Sequence, residues 1–195
     1  KFNPPIDAQS VHQGAALEVK PLNWGGLAEN CIGREAPRVL LLDRVTDPHN
    51  VGAILRSAEV LGASAVIGTR HHSAPETGAL AKTASGALER QPYLRMRNLA
   101  DTIGELQNMG FIVLGLDGEA EETIETVLEG RKGDPVARVL GAEGPGLRER
   151  TRELCTQLVR IPAADTFASL NVSNAAAVGL YAASLRGAGA ASRLR

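Results

Sequence analysis

The chain has 195 residues, of which 44% are hydrophobic and 22% charged, and its formal net charge is −1. These values are typical of one soluble globular domain with a substantial core. No apolar run is long enough to cross a bilayer, and we expect neither a membrane span nor a signal peptide. Two cysteines, Cys31 and Cys155, are too few for a disulfide framework and lack metal-ligand spacing, which predicts a reducing cytoplasmic setting and no metal centre.

Charge is unevenly distributed along the chain. Basic residues gather in the first half, at Arg34, Arg38, Arg44, Arg70, His71, His72, Lys82, Arg90, Arg95 and Arg97. Acidic residues gather later, at Glu119, Glu121, Glu122, Glu125 and Glu129. A basic face and an acidic face suit a polyanionic partner, whereas the nearly neutral total favours ordinary solvated charge. Composition alone does not decide between the two.

The first half of the chain begins with a linker-like segment and then alternates strands with helices. Residues 1–36 are rich in Pro, Gly, Asn and Ala and predict a linker with an irregular lead-in. Residues 39–42 form a continuous apolar run, typical of a strand buried on both faces. Residues 47–50 carry a helix-start signature, and the helix that follows ends at Gly62. A second strand is predicted over residues 65–67 and a weaker helix over residues 76–89.

The second half continues this alternation. Further strands are predicted over residues 93–96, 111–116, 136–141 and 158–161. Helices follow them over residues 98–110, 121–129, 146–155 and, rich in small residues, up to Leu185. The alternation predicts an α/β fold with a mostly parallel sheet and helices on both faces. We assign the compact domain to residues 37–187 and a flexible tail to residues 188–195.

Two strand-to-helix junctions carry polar residues that chemistry could use. The first reads Asp-Pro-His-Asn-Val-Gly-Ala-Ile-Leu-Arg over residues 47–56. Its Asn50 and Arg56 could serve a ligand, or serve only the fold as a capping Asn and a snorkelling Arg. The second, over residues 140–147, places three glycines around Glu143, so that a ligand could approach the backbone closely. A plain loop would look the same, and neither a phosphate loop nor a dinucleotide fingerprint is present there.

The third junction, over residues 169–178, reads Ser-Leu-Asn-Val-Ser-Asn-Ala-Ala-Ala-Val and organises the C-terminal part of the chain. Asn171, Ser173 or Asn174 could cap the last helix, because each offers an acceptor to unpaired backbone N–H groups. A capped core helix explains the alanine run. It does not explain amides and hydroxyls clustered at a strand end, where ligands bind in open α/β sheets.

Taken together and in this order, the junctions resemble the SpoU-type branch of the SPOUT class of RNA ribose 2′-O-methyltransferases. That branch shows an Asp-Pro-x-Asn-x-Gly-x-x-x-Arg motif, a Gly-x-Glu-Gly-x-Gly motif and an Ile-Pro…Ser-Leu-Asn-Val-Ser motif, all intact here. The resemblance extends from about Val11 to Leu185. Residues 11–14 also resemble the joint after the N-terminal domain of the branch that methylates a guanosine of 23S ribosomal RNA. We expect that separate RNA-binding domain to be absent from this chain.

The resemblance implies a deep trefoil knot in the C-terminal part of the domain, S-adenosylmethionine as methyl donor, S-adenosylhomocysteine as product, and RNA as substrate. It also implies a homodimer with the donor pocket near the subunit interface. By position it assigns donor binding to Gly141, Ile161, Leu170, Leu116 and Gly115. It assigns the polar active-site set to Asn50, Arg56, Glu143, Ser169 and Asn171.

The chemistry supports an orienting role for Arg56 better than a basic one. A neutral arginine is costly because the guanidinium pKa lies above ~12. We expect Arg56 to orient the ribose-phosphate, with a phosphate oxygen or water accepting the proton. Glu143 would hold Arg56 or accept a bond from the substrate. Aromatic residues make up only 3% of the chain, which argues against a base-stacking platform.

Two alternatives remain at the level of sequence. One is a knotted RNA-binding module without turnover, which the intact polar residues at all three junctions disfavour. The other concerns the substrate: transfer RNA, or an adenosine in a resistance methylation, could replace a guanosine of 23S ribosomal RNA.

Overall fold

A computed structural model describes residues 6, 14–131, 133–164 and 170–184. Within them, six parallel strands form one sheet in the order β3-β2-β1-β5-β4-β6. The strands are β1 Arg38–Asp43, β2 Ala65–Thr69, β3 Tyr93–Met96, β4 Ile112–Leu116, β5 Val136–Gly141 and β6 Gln157–Val159. The helices are α1 Leu27–Cys31, α2 Pro48–Val60, α3 Gly78–Ala84, α4 Leu99–Asn108, α5 Ile124–Leu128, α6 Glu149–Leu154 and α7 Val172–Ser184.

The predicted α/β class with a parallel sheet is confirmed, and the sheet is buried on both faces. Leu40 and Leu42 of β1 pack in a core layer with α2 and α7. Val39 and Leu41 of the same strand pack in the opposite layer with α1 and α4. Both layers exclude water, which is why β1 reads as a continuous apolar run. In the described residues, no helix is long and apolar enough to cross a membrane.

The lead-in segment contains a helix that the sequence analysis did not predict. Leu27 and Cys31 of α1 are buried in the same core layer as Val39. Asn30 Nδ2 donates to the carbonyl of Trp24 at 2.7 Å, which ties the preceding turn to the helix. At least this part of residues 1–36 therefore packs on the domain.

Several helices begin or end a few residues from the predicted bounds, and for two of them the structure shows the reason. Asp47 caps α2, because its Oδ1 accepts from the His49 N–H at 3.0 Å, so the helix starts at Pro48 and Asn50 is not a cap. Proline suits that first helical position, where no intrahelical N–H bond is lost. The helix predicted over residues 76–89 is interrupted at Ser85 and Gly86, both in the left-handed region with φ of 53° and 87°.

The knot remains a prediction. It would involve the connection between β6 and α7, and residues 165–169 of that connection lie outside the described residues. The predicted helix end at Leu185 and the predicted tail over residues 188–195 lie outside them as well.

Arg138 lies in the middle of β5 and is fully buried. Its Nε and both terminal nitrogens have no hydrogen-bond partner in the described part of the chain. Burial, and secondarily the charge of Arg38, lowers the pKa of Arg138 from 12.5 to about 10. A buried cation without a counterion is costly, since little compensates for the water it has lost.

We expect Arg138→Met to stabilise the protein. The lowered pKa corresponds to a cost of about 3 kcal/mol. That cost is complete below pH ~10 and declines as the pH approaches the unfolded-state value, because there the unfolded chain binds the extra proton. Urea unfolding at neutral pH measures the gain, and Arg150→Met on the exposed surface of α6 is the control. A less stable Arg138→Met variant would contradict the idea and point to a counterion that holds Arg138.

Candidate functional site

A cleft of about 730 Å³ opens at the carboxyl edge of the sheet, between the ends of β4 and β5 and the start of α7. This is the edge where open parallel sheets bind ligands. Its lining includes Leu116, Asp117, Gly118, Glu119, Leu140, Gly141, Ala142, Glu143, Pro145, Leu147, Arg152, Ile161, Ala163, Leu170, Asn171 and Val172.

The side chain of Asn171 joins the three polar junctions of the sequence. Its Nδ2 donates to Oδ1 of Asn50 at 3.1 Å and also to Oε1 of Glu143. Its Oδ1 accepts from Ser173, both from the backbone N–H at 2.9 Å and from Oγ at 2.6 Å. Asn171 therefore caps α7 and at the same time connects α2 with the loop after β5.

These partners fix the orientation of the Asn171 amide. A carboxylate and a carboxamide oxygen both need a donor, so the NH₂ group must face Glu143 and Asn50. With two donor and two acceptor contacts made, Asn171 has little capacity left for a substrate. Glu143 is exposed and keeps Oε2 without a hydrogen bond in the described residues, which makes that oxygen the open acceptor of the cluster.

The glycine at the end of β5 allows the loop that carries Glu143 to fold back on the strand. A Cβ atom on Gly141 would lie 2.1 Å from the carbonyl carbon of Gly146 and 2.3 Å from the nitrogen of Leu147. Those are backbone atoms, so no side chain is tolerated there without moving the loop. The loop is held from the other side by Asp43, a buried carboxylate that accepts from Nε of Arg148 at 2.7 Å and from its N–H at 3.0 Å.

Four of the five residues predicted to bind the donor line this cleft. Gly141 forms its floor, and Leu116, Ile161 and Leu170 contribute apolar surface. The structure does not bring Gly115 to the cleft. A Cβ atom on Gly115 would lie within 3.0 Å of side-chain atoms of Leu158, Cys155 and Leu147, so this glycine serves packing behind the wall.

The polar set is brought together only in part. Asn50, Glu143 and Asn171 are in hydrogen-bond contact, whereas Ser169 lies outside the described residues. Arg56 is exposed and has no hydrogen bond or ion pair within the described part of the chain. Six residues after Asn50 on α2, it lies about 120° around the helix from Asn50. The structure therefore pairs Glu143 with Asn171 and not with Arg56.

Three charged residues of the cleft, Asp117, Glu119 and Arg152, were missed at the sequence level. Asp117, at the end of β4, forms an ion pair with Arg152 of α6, and its Oδ1 also accepts from the Glu119 N–H at 2.9 Å. Asp117 directly follows a strand and precedes a glycine. Its position after a strand was the signal in the sequence, although Asp117 and Gly118 together are equally typical of a turn.

The described residues offer no metal-binding group of His, Cys, Asp or Glu. Cys155 is also unsuited to nucleophilic chemistry. Burial, reinforced by the charge of Asp43, raises its pKa to about 11, so the thiol stays protonated at neutral pH.

A parallel α/β domain with a cleft at the carboxyl edge of its sheet, and a glycine at the base of that cleft, is typical of ligand-binding proteins. The model of the SpoU rRNA Methylase family matches residues 37–181, and the chain belongs to that family. It is 43% identical over 175 residues to the 23S rRNA (guanosine-2′-O-)-methyltransferase RlmB of Vibrio vulnificus. It is 47% identical over 176 residues to the protein of the same name from Haemophilus influenzae. Each alignment covers 88% of this chain and 70% of the relative.

Solved structures agree with this assignment. The SpoU methyltransferase AviRb from Streptomyces viridochromogenes, in complex with AdoMet, superposes with a TM-score of 0.72 at 29% identity, covering 82% of this chain. An AdoMet-bound rRNA methyltransferase from Sinorhizobium meliloti gives 0.70 at 29% identity, covering 77% of this chain. The matches span 61% and 56% of those two chains, less than two thirds of either.

Proposed function

We propose that this protein transfers a methyl group from S-adenosylmethionine to a ribose 2′-hydroxyl of RNA, with a guanosine of 23S ribosomal RNA as the target. The names of the two relatives support the substrate, and the AdoMet-bound structures support the donor. One observation carries the proposal: Asn50, Asn171 and Glu143, from three distant parts of the chain, form one polar cluster beside the cleft. We expect such an enzyme to act in the cytoplasm.

The residues of the cleft fit this donor. S-adenosylmethionine would supply an electrophilic methyl group on a positively charged sulfur. Gly141 lets the donor approach the backbone, and Leu116, Ile161 and Leu170 offer an apolar wall to it. Arg152 pairs with Asp117, and the carboxylates of Glu119 and Glu143 leave the cleft with net negative charge, which suits a cationic donor.

The chain's own residues would then position the ribose. Asn171 holds the Glu143 carboxylate in place, and Oε2 of Glu143, which has no hydrogen bond among the described residues, would accept one from the 2′-hydroxyl. Aligning that hydroxyl lowers the barrier through positioning. Arg56 orients the ribose-phosphate, and the proton goes to a phosphate oxygen or to water.

Two experiments test the function and its alternatives. Calorimetric titration with S-adenosylmethionine measures donor binding. A transfer assay with labelled donor on 23S ribosomal RNA, followed by mapping of the 2′-O-methyl group, measures turnover and target. Donor binding without transfer to any RNA would favour the module without turnover, and transfer to transfer RNA alone would replace the substrate. Loss of one 2′-O-methyl group from ribosomal RNA of a deletion strain would give the position.

We further propose a homodimer through α2 and α7. Buried positions of α7, Val172, Ala176 and Leu180, face the sheet, which leaves Val178 at 38% exposure on the outer side. On α2, Val60 is 76% exposed on the same side of the helix as Arg56. Apolar surface on two adjacent helices suits an isologous contact.

We expect light scattering at micromolar concentration to give the mass of a dimer. Val60→Glu together with Val178→Glu should give a folded monomer, because the substitutions place four carboxylates in the two-fold interface. Val19→Glu, an exposed valine in the lead-in, is the control. A monomer mass for the unaltered chain would refute the proposed dimer.

A further inference from the structure

The loop after β2 is rigid, exposed and basic. Arg95 of β3 donates to three of its carbonyls, from Nε to Thr69 at 3.2 Å, from one terminal nitrogen to Ala74 at 2.8 Å and from the other to Arg70 at 3.3 Å. The Oγ of Ser73 accepts from the Thr69 N–H at 3.0 Å and closes the loop. Arg95 also lies over the ring of Tyr93, 5.3 Å from its centroid, and forms no ion pair with an acid among the described residues.

The surface formed by this loop and the neighbouring strand ends presents several exposed cations, of which Arg70 donates from Nε to the carbonyl of Arg95 at 3.3 Å. Arg70, His71 and His72 are exposed in the loop, and His72 has a φ of 61°, uncommon for a residue other than glycine. Arg44 and Arg97 are exposed directly after β1 and β3. Among the described residues, Arg44, Arg70 and Arg97 form no ion pair.

Few acids oppose these charges at this end of the edge. Glu76 is exposed in the segment after the loop, and Asp101 is exposed in the first turn of α4, where it accepts from Nδ2 of Asn98 at 2.6 Å. Asp47, after β1, is occupied by the His49 N–H that it caps. By contrast, acids outnumber bases at the far end of the edge after β4. Asp117, Glu119, Glu121 and Glu122 lie there with two arginines, Arg152, which pairs with Asp117, and Arg160. The strand order places β3, β2 and β1 on one side of the cleft and β4 and β6 on the other, so charge changes sign along the edge.

We propose that Arg44, Arg70 and Arg97 bind the phosphate backbone of the RNA strand that enters the cleft, and that the strand approaches from the β3 side. The inference rests on the proposed function and adds to it the surface and direction of RNA docking. Three strand spacings separate β3 from β5, or about 14 Å, short enough for one strand to touch both the basic surface and the cleft. The acids after β4 repel a polyanion on the opposite side.

Variants with matched charge test this surface. The test variant is Arg70→Gln with Arg97→Gln, and Arg44→Asn is a second test variant, since asparagine tolerates the φ of 59° found there. The control is Arg34→Gln with Arg131→Gln, two exposed arginines that precede β1 and β5 at the opposite edge. Each protein is titrated into a labelled single-stranded RNA, from about 50 mM to about 200 mM salt. Donor affinity and melting temperature are measured alongside.

We expect the double test variant to bind RNA about tenfold more weakly at low salt. The slope of log K against log salt should also become shallower by about 1.4, because two phosphate contacts are lost. Arg44→Asn should reduce the slope by about half as much. The control should match the unaltered protein, and donor affinity should be unchanged throughout.

The outcomes separate this proposal from the proposed function. If the unaltered protein methylates RNA and the test variant still binds RNA like the control, the surface is wrong while the function stands. That result would favour an acidic protein as the partner of this basic surface. If the unaltered protein transfers no methyl group but the test variant loses RNA affinity, the surface stands and the function is wrong. No measurable RNA binding by the unaltered chain would overturn the surface directly.

Discussion

We expect Gly141→Ala to reduce methyl transfer by at least about 100-fold and to weaken donor binding. The added methyl group would lie 2.1 Å from backbone of the loop that carries Glu143. Backbone cannot rotate away as a flexible side chain can, so the loop must shift and Glu143 must leave Asn171. Displacing a positioned group by about 1 Å can cost about 100-fold in rate. The sequence indicates only that glycines in this loop let a ligand approach the backbone, whereas the structure shows that a side chain at Gly141 would clash within the protein.

A glycine elsewhere provides the control for that variant. Gly104 lies in α4, and a Cβ atom there would contact nothing within 4 Å. Gly104→Ala should therefore leave donor titration and single-turnover transfer unchanged. If Gly141→Ala binds the donor and transfers methyl like Gly104→Ala, then Gly141 has no part in the site.

We also expect Arg56→Ala to reduce turnover by at least about 100-fold without a change in melting temperature, the lower range for losing one positioned catalytic group. Arg56 is exposed and forms no ion pair among the described residues, so its removal costs the fold little. A structural arginine would behave in the opposite way, with stability lost and turnover per folded molecule retained.

Arg56→Lys separates the two possible roles of this residue. If Arg56 orients the ribose-phosphate through its planar fork, lysine should lose most activity although the charge remains. If Arg56 were a general base, lysine should recover activity at high pH, because its ordinary pKa of ~10.4 is easier to reach. Single-turnover transfer across pH measures this. A fully active Arg56→Ala variant would remove Arg56 from the mechanism.

The sheet was predictable because its signals are local. Each predicted strand appears within a few residues of its observed bounds, since buried parallel strands read as apolar runs. The helix predicted over residues 76–89 ends instead at Ala84. That end was missed because the alanines favoured one continuous helix and Gly86, a signal for a helix end, was not used as one. The burial of Arg138 was not predictable either, for a different reason. An arginine within a strand indicates an exposed face, yet it is fully buried.

The candidate site was likewise predictable only in part. That Asn50, Glu143 and Asn171 belong to one polar set was implied by the resemblance of the three junctions to the SpoU-type motifs, and the structure brings these three residues into contact. The sequence did not predict which of these side chains form hydrogen bonds with each other, since Glu143 binds Asn171 and not Arg56. Nor could it show that Gly115 packs behind the cleft wall, because a glycine beside a strand end looks the same whether it faces a ligand or a neighbouring leucine. Their functional roles stay predictions.

The hydrogen bond between Asn171 and Asn50 joins residues 121 positions apart, and this has a consequence for the order in which the site is built. A ribosome synthesises the chain from its N-terminus at about 5–20 residues per second. All six strands precede Asn171, so the sheet can be complete in a nascent chain that still lacks the polar cluster. Asn50 and Glu143 lack their shared partner until α7 has emerged from the ribosome and packed on the sheet. The polar cluster can therefore form only after α7 has been synthesised, on a scaffold whose six strands precede it in the chain.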